Sequence, residues 1–143
     1  MGNTIIQFRD QQFVANDYDI EMWLHFLVRA MESLDPLPDW LGEARELWEF
    51  VAQGHTIGVS DPRLDEFLLM QAQIDFVLEL CAKAFMLLNE FGEVIPDAYI
   101  DRLTRGWDLP GDFKTDYIRP VAANFVSLLK GELAAASAKN THD

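Results

Sequence analysis

Residues 61–90, "DPRLDEFLLMQAQIDFVLELCAKAFMLLNE", decide the fold class. Turned at about 100° per residue, Asp65, Glu79, Lys83 and Glu90 fall on one narrow polar stripe. Nearly all the rest is apolar: Phe67, Leu68, Ile74, Leu78, Cys81 and Phe85 on one flank, Leu69, Phe76, Leu80 and Leu87 on the other. A helix apolar over most of its girth is wrapped by neighbours on several sides. The start signal is strong, with Ser60 or Asp61 as cap and Pro62 in the first turn. Gly92 supplies the stop. Glu79 and Lys83 stand four apart in the favourable order, worth about 0.2–0.5 kcal/mol. Gln71 and Asp75 border the apolar surface, where burial would oblige them to find hydrogen-bond partners.

The flanking segments follow the same pattern. Upstream, Ile20, Trp23, Leu24, Leu27, Val28 and Met31 recur at helical spacing behind a cap at Asn16 or Asp17. Pro36 and Pro38 end that run. Asp39 then caps a second helix that reaches Gln53 and is closed by Gly54. Downstream, a shorter helix begins near Pro96 and ends by Gly106. The last runs from about Asp116 past Leu129, with Pro120 tolerated only in its first turn. Residues 4–14 stay open between strand and helix. The expectation is an all-α chain, an irregular bundle of about five helices around a central long helix at residues 61–90. Residues 1–136 form one domain, with 137–143 as a frayed tail.

Charge carries the first functional content. The chain has a formal net charge of −13. Residues 10–101 hold 19 acids against four bases (Arg29, Arg45, Arg63 and Lys83), a net of −15, and residues 102–143 hold five acids against six bases, a net of +1. Such a field repels nucleic acid and anionic lipid and attracts basic surfaces; acidity also serves solubility alone. No apolar run reaches the roughly 18 residues of a membrane span. The first residues lack the basic and apolar regions of a secretory signal, and Ile6 stands where a myristoylation signal needs Ser or Thr. Cys81 is the only cysteine and sits in an apolar run, which reads as a reduced, buried thiol in a cytoplasmic protein.

The second helix gives the candidate site. Trp40, Leu41, Ala44, Leu47, Trp48 and Val51 form its apolar face, so both tryptophans are expected inward. Asp39, Glu43, Glu46 and Glu49 lie opposite, and Phe50 projects between Glu43 and Glu46. Either another segment folds over Phe50, or Phe50 is an aromatic anchor in an acidic rim. In the second case the ring supplies affinity while the charges steer a basic partner. The partner-binding candidates are thus Asp39, Glu43, Glu46, Glu49 and Phe50, with Asp61, Asp65 and Glu66 at the next helix start as a second acidic group.

Catalytic patterns are sparse. "GHTIGVS" lacks the lysine and spacing of a phosphate loop, and His25, His55 and His142 are scattered. Glu21 and His25 could touch a metal together, but without the paired motifs of di-iron bundles they read as a helix-surface pair. "DYDIE" lacks the glycine and terminal glutamate of a calcium loop. Asp97 and Asp101 share a helix face, as in some magnesium enzymes, though Arg102 and Arg105 beside them suggest solvated ion pairs. Ser60 reads as a cap rather than a nucleophile. No catalytic residue, cofactor or metal is expected.

One stretch resembles a known group. "PDWLGEARELWEFVAQGHTIGVSDPRLDEFL", residues 38–68, is similar to segments of small helical immunity proteins from bacterial toxin–immunity pairs, including contact-dependent growth inhibition systems. Trp40-Leu41 opening a helix, Trp48 in its middle, Gly54 closing it and Asp61-Pro62 launching the next carry the likeness, over about 31 of 143 residues. The resemblance implies a cytosolic protein that binds and blocks a toxin, often a basic nuclease. It carries over no individual residue. Two other classes stay open: an acidic helical adaptor for another basic protein, and a small metal-dependent enzyme using Asp97 and Asp101.

Overall fold

The first element is a hairpin rather than a helix. In the computed structural model, which describes residues 2–34, 36–54, 60–101 and 113–133 (Asp101 by its backbone only), β1 (Asn3–Phe8) pairs antiparallel with β2 (Gln11–Asn16). The register runs from Asn3 opposite Asn16 to Phe8 opposite Gln11. Thr4, Ile6 and Phe8 turn inward while Asn3, Ile5 and Gln7 face out, the period of two that a half-buried strand requires. The turn lacks the usual Asn-Gly. Arg9 takes φ 56° instead, and its backbone N–H donates to Asp65 Oδ1 at 2.9 Å. This contact ties the hairpin tip to a segment 56 positions away.

The described residues contain six helices: α1 (Asp17–Met31), α2 (Asp39–Ala52), α3 (Leu64–Phe67), α4 (Gln71–Asn89), α5 (Asp97–Asp101) and α6 (Thr115–Lys130). A second two-stranded antiparallel sheet joins β3 (Val94–Ile95) to β4 (Phe113–Lys114). The all-α expectation is therefore corrected to a mostly helical fold with two small sheets. No described helix is long and apolar enough to cross a membrane.

The supposed central helix, residues 61–90, is two helices. Leu68 leaves the helical region at φ −105°, ψ 85°, and Met70 is extended before α4 begins. Neither proline nor glycine marks the break. Gln73 makes it affordable by turning its side-chain carbonyl back onto the N–H groups of Leu69 (2.7 Å) and Met70 (3.0 Å). Leu69 is left 71% exposed, against its expected place in an apolar flank, and Met70 beside it is 60% exposed. Gln71 and Asp75 are not buried; they bond to each other at 2.9 Å in solvent.

The central element is α1. Every residue from Ile20 to Val28 is buried, and the helix packs against α2, α4, α6 and β2. Asn16 caps it by accepting from the Tyr18 N–H at 2.9 Å. Trp23 meets Phe85 and Phe125 edge to face. Its indole N–H finds no partner among the described residues. Trp48 on α2 is as deeply buried, but its indole donates to the Pro62 carbonyl at 2.7 Å. Trp40, expected inward, is only partly buried, edge-on to Phe76. Cys81 lies in the core, and burial pushes its thiol up to about 12.

Two boundaries also move. Asp39 lies in the first turn of α2, with Pro38 at the cap position; Gly54 closes the end at φ 76°. Pro120 sits in the second turn of α6, not the first. It is exposed, so the Asp116 carbonyl that would have accepted from position 120 can be met by water. The expected Gly106 stop and the tail at 137–143 lie outside the described residues.

Candidate functional site

The outward side of α2 is built by simple helical geometry. Leu41, Ala44, Trp48, Val51 and Ala52 point into the core, which leaves Asp39, Glu43, Glu46, Glu49 and Phe50 exposed on the other side. The four acids span an arc of about 120°, and Phe50 falls inside it. Phe50 is half exposed, so its ring is neither fully covered nor fully presented. Leu47 and Trp40, both partly buried, continue an apolar shoulder along one edge of the arc. Ion pairs among the described residues join Arg29 to Glu32, Arg63 to Glu66 and Arg119 to Asp116. None neutralises an acid of this arc.

The second acidic group behaves differently. Asp61 Oδ1 accepts from the Arg63 N–H at 2.9 Å, shaping a turn in which Arg63 adopts φ 53°. Asp65 receives the Arg9 N–H, and Glu66 stands 3.9 Å from Arg63. Asp61 and Glu66 thus have local partners between Ser60 and α3, while Asp65 holds the hairpin tip.

Ser60 is not a cap. It is fully buried and donates from Oγ to Glu21 Oε2 at 2.5 Å, while its N–H donates to Thr4 Oγ1 at 3.0 Å. Thr4 in turn donates to Asp17 Oδ1 at 2.6 Å. This buried chain of hydroxyls and carboxylates pins β1, the start of α1 and residue 60 together. Glu21 and His25, read from sequence as a surface pair, are both buried. His25 Nε2 lies 2.8 Å from the Tyr99 hydroxyl. Two polar positions four apart on an otherwise apolar helix were the available signal, since such residues are buried only with partners. Nearby Asp19 is partly buried, and desolvation pushes its carboxyl up to about 7.

A cleft of about 150 Å³ opens between α1 and α2, lined by His25, Val28, Arg29 and Glu32 from the first and Glu49, Ala52 and Gln53 across it. It shares Glu49 with the acidic arc. As for the metal candidates, no three His, Cys, Asp or Glu side chains converge among the described residues. Asp97 is partly buried on α5; the Asp101 side chain lies outside the described set.

Comparison with protein-family models, with curated proteins and with solved structures found no match to this chain.

Proposed function

We propose that this protein is a cytosolic immunity protein that binds a cognate protein toxin with a basic surface, such as a nuclease domain, and blocks its active or substrate-binding face. The observation that carries the reading is the outer side of α2: four carboxylates with no ion pair among the described residues, ranged around a half-exposed phenylalanine. A solvated acidic helix needs no such ring. A docking surface does, because an aromatic supplies desolvated contact area while rim charges raise the encounter rate and fix register. The likeness of residues 38–68 to immunity proteins points the same way. Asp61, Asp65 and Glu66 have a weaker claim, since their carboxylates already have partners within the chain.

The test is rescue. A toxin reading frame should lie directly upstream of this gene, and expressing the chain should protect cells from that toxin. The purified pair should associate with an on-rate that falls as salt rises. Phe50→Ala should leave folding nearly intact and weaken the complex by about 2 kcal/mol or more. Binding to a basic protein without rescue would make this an acidic adaptor instead. A Phe50→Ala variant that loses stability but binds normally would remove α2 as the docking face.

A further inference from the structure

The cleft beside the acidic arc has features that the arc lacks. Its two walls come from different helices, so it is a shaped recess and not a run of side chains on one surface. Val28 on α1 and Ala52 on α2 give it buried, apolar sides. Glu49 in the last turn of α2 and Gln53 at its C-cap, four positions apart, both line it, so a carboxylate and an amide are within reach of the recess. Its volume of about 150 Å³ matches that of a cavity able to hold benzene. The lining contains one permanent cation, Arg29, whose Nε already lies 3.4 Å from Glu32 on the same helix.

Apolar sides with a carboxylate at the lip suit one kind of guest, a long side chain with a methylene stem and a cationic head. We propose that this cleft receives a single arginine or lysine side chain of the protein partner, its stem between Val28 and Ala52 and its head on Glu49 and the Gln53 carbonyl. The proposal rests on the basic-partner reading above and deepens it: the arc would attract a positive surface broadly, whereas the cleft selects where one residue of that surface must sit. A neutral side chain of equal length would leave the Glu49 carboxylate without a partner, so the cleft also discriminates between positive partners by position and not by total charge. Arginine is the better fit of the two, because its planar head can meet a carboxylate and an amide carbonyl together.

The experiment needs no partner. Acetyl-arginine amide, which carries one positive charge and no other, is titrated into the full chain and followed by amide and side-chain NMR shifts. Acetyl-norleucine amide serves as the uncharged control. The expected result is saturable shifts at Val28, Ala52, Gln53 and the His25 ring, with a dissociation constant on the order of 1–10 mM. The norleucine control should give none. Glu49→Gln should weaken binding by about threefold or more, and Ala52→Met, which fills the cleft, should abolish it. Glu43→Gln, on the far side of the arc, should leave it unchanged. Shifts spread evenly over Glu43, Glu46 and Glu49, or shifts unaffected by Ala52→Met, would overturn the proposal in favour of diffuse attraction. So would no shift at all. Failure here leaves the rescue experiment untouched, and failed rescue leaves this titration interpretable, so the two readings can fall separately.

Discussion

α1 and α2 lie against each other, are of nearly equal length, and treat their charged residues in opposite ways. α1 buries Asp17, Glu21 and His25 and supplies partners for each from other parts of the chain. α2 buries no acid and turns Asp39, Glu43, Glu46 and Glu49 to solvent. Polarity inside α1 holds the molecule together; polarity outside α2 is held by nothing in the described chain. The same residue types therefore do structural work on one helix and are available for recognition on its neighbour.

The contrast can be broken most forcefully at Trp48. Trp48→Ala should cost about 3–5 kcal/mol, because a fully buried indole leaves a cavity and orphans the Pro62 carbonyl. A domain of this size has only about 5–15 kcal/mol in total, so thermal denaturation should show a severe loss. Unchanged stability would mean that the inner and outer faces of α2 are wrongly assigned.

Ser60→Ala probes the buried side of the comparison. It removes a donor from the buried Glu21 carboxylate and should cost about 1–3 kcal/mol in urea unfolding. A neutral result would show that the polar chain through Thr4, Asp17 and Glu21 is incidental.

Gly42→Ala works in the other direction. Gly42 is helical, and a methyl group added there would meet nothing within 4 Å. The substitution should stabilise the protein by about 0.5–1 kcal/mol. If it also weakens binding of the proposed partner, that partner approaches the α2 backbone closely at this point; a loss of stability would instead reveal an internal role for the glycine.

A fourth test concerns pH. The Asp19 carboxyl is pushed from 3.8 up to about 7 in the folded chain, so the folded state holds this proton more tightly than the unfolded one. Its contribution to stability is fully present below about pH 4 and is lost as pH rises through about 7. Asp19→Asn should therefore raise the melting temperature relative to the parent at pH 8 and leave it nearly unchanged at pH 4. An equal difference at both values would mean that Asp19 is not desolvated.

Much of this architecture is legible in the sequence, for identifiable reasons. α1, α2 and the Gly54 stop follow from apolar spacing and punctuation, signals that act locally. The break at Leu68–Met70 does not, because it is made by the Gln73 side chain and not by any helix-breaking residue. The hairpin is ambiguous in sequence because its turn places positive φ on Arg9, a residue with no intrinsic preference for it, and Arg9 is held there by Asp65 from far along the chain. The segment containing α4 reads as the central helix because its charges gather on one stripe, whereas α1 carries Glu21 and His25 among its apolar positions. In the folded chain those two are satisfied and buried. For the site, the acidic arc and Phe50 could be read from a helical wheel; the cleft could not, since it exists only where α1 and α2 meet.

The lone thiol gives the molecule a built-in clock. Thiolate is the reactive form, and with its thiol pushed up to about 12 and its side chain in the core, Cys81 in the folded state is nearly inert to alkylating reagents at neutral pH. Modification must then pass through an opening that exposes α4, so the labelling rate at one atom measures how often the core opens. Because Cys81 is the chain's only cysteine, mass spectrometry would read that frequency from a single adduct, and a bound partner that stabilises the fold would slow the clock in proportion.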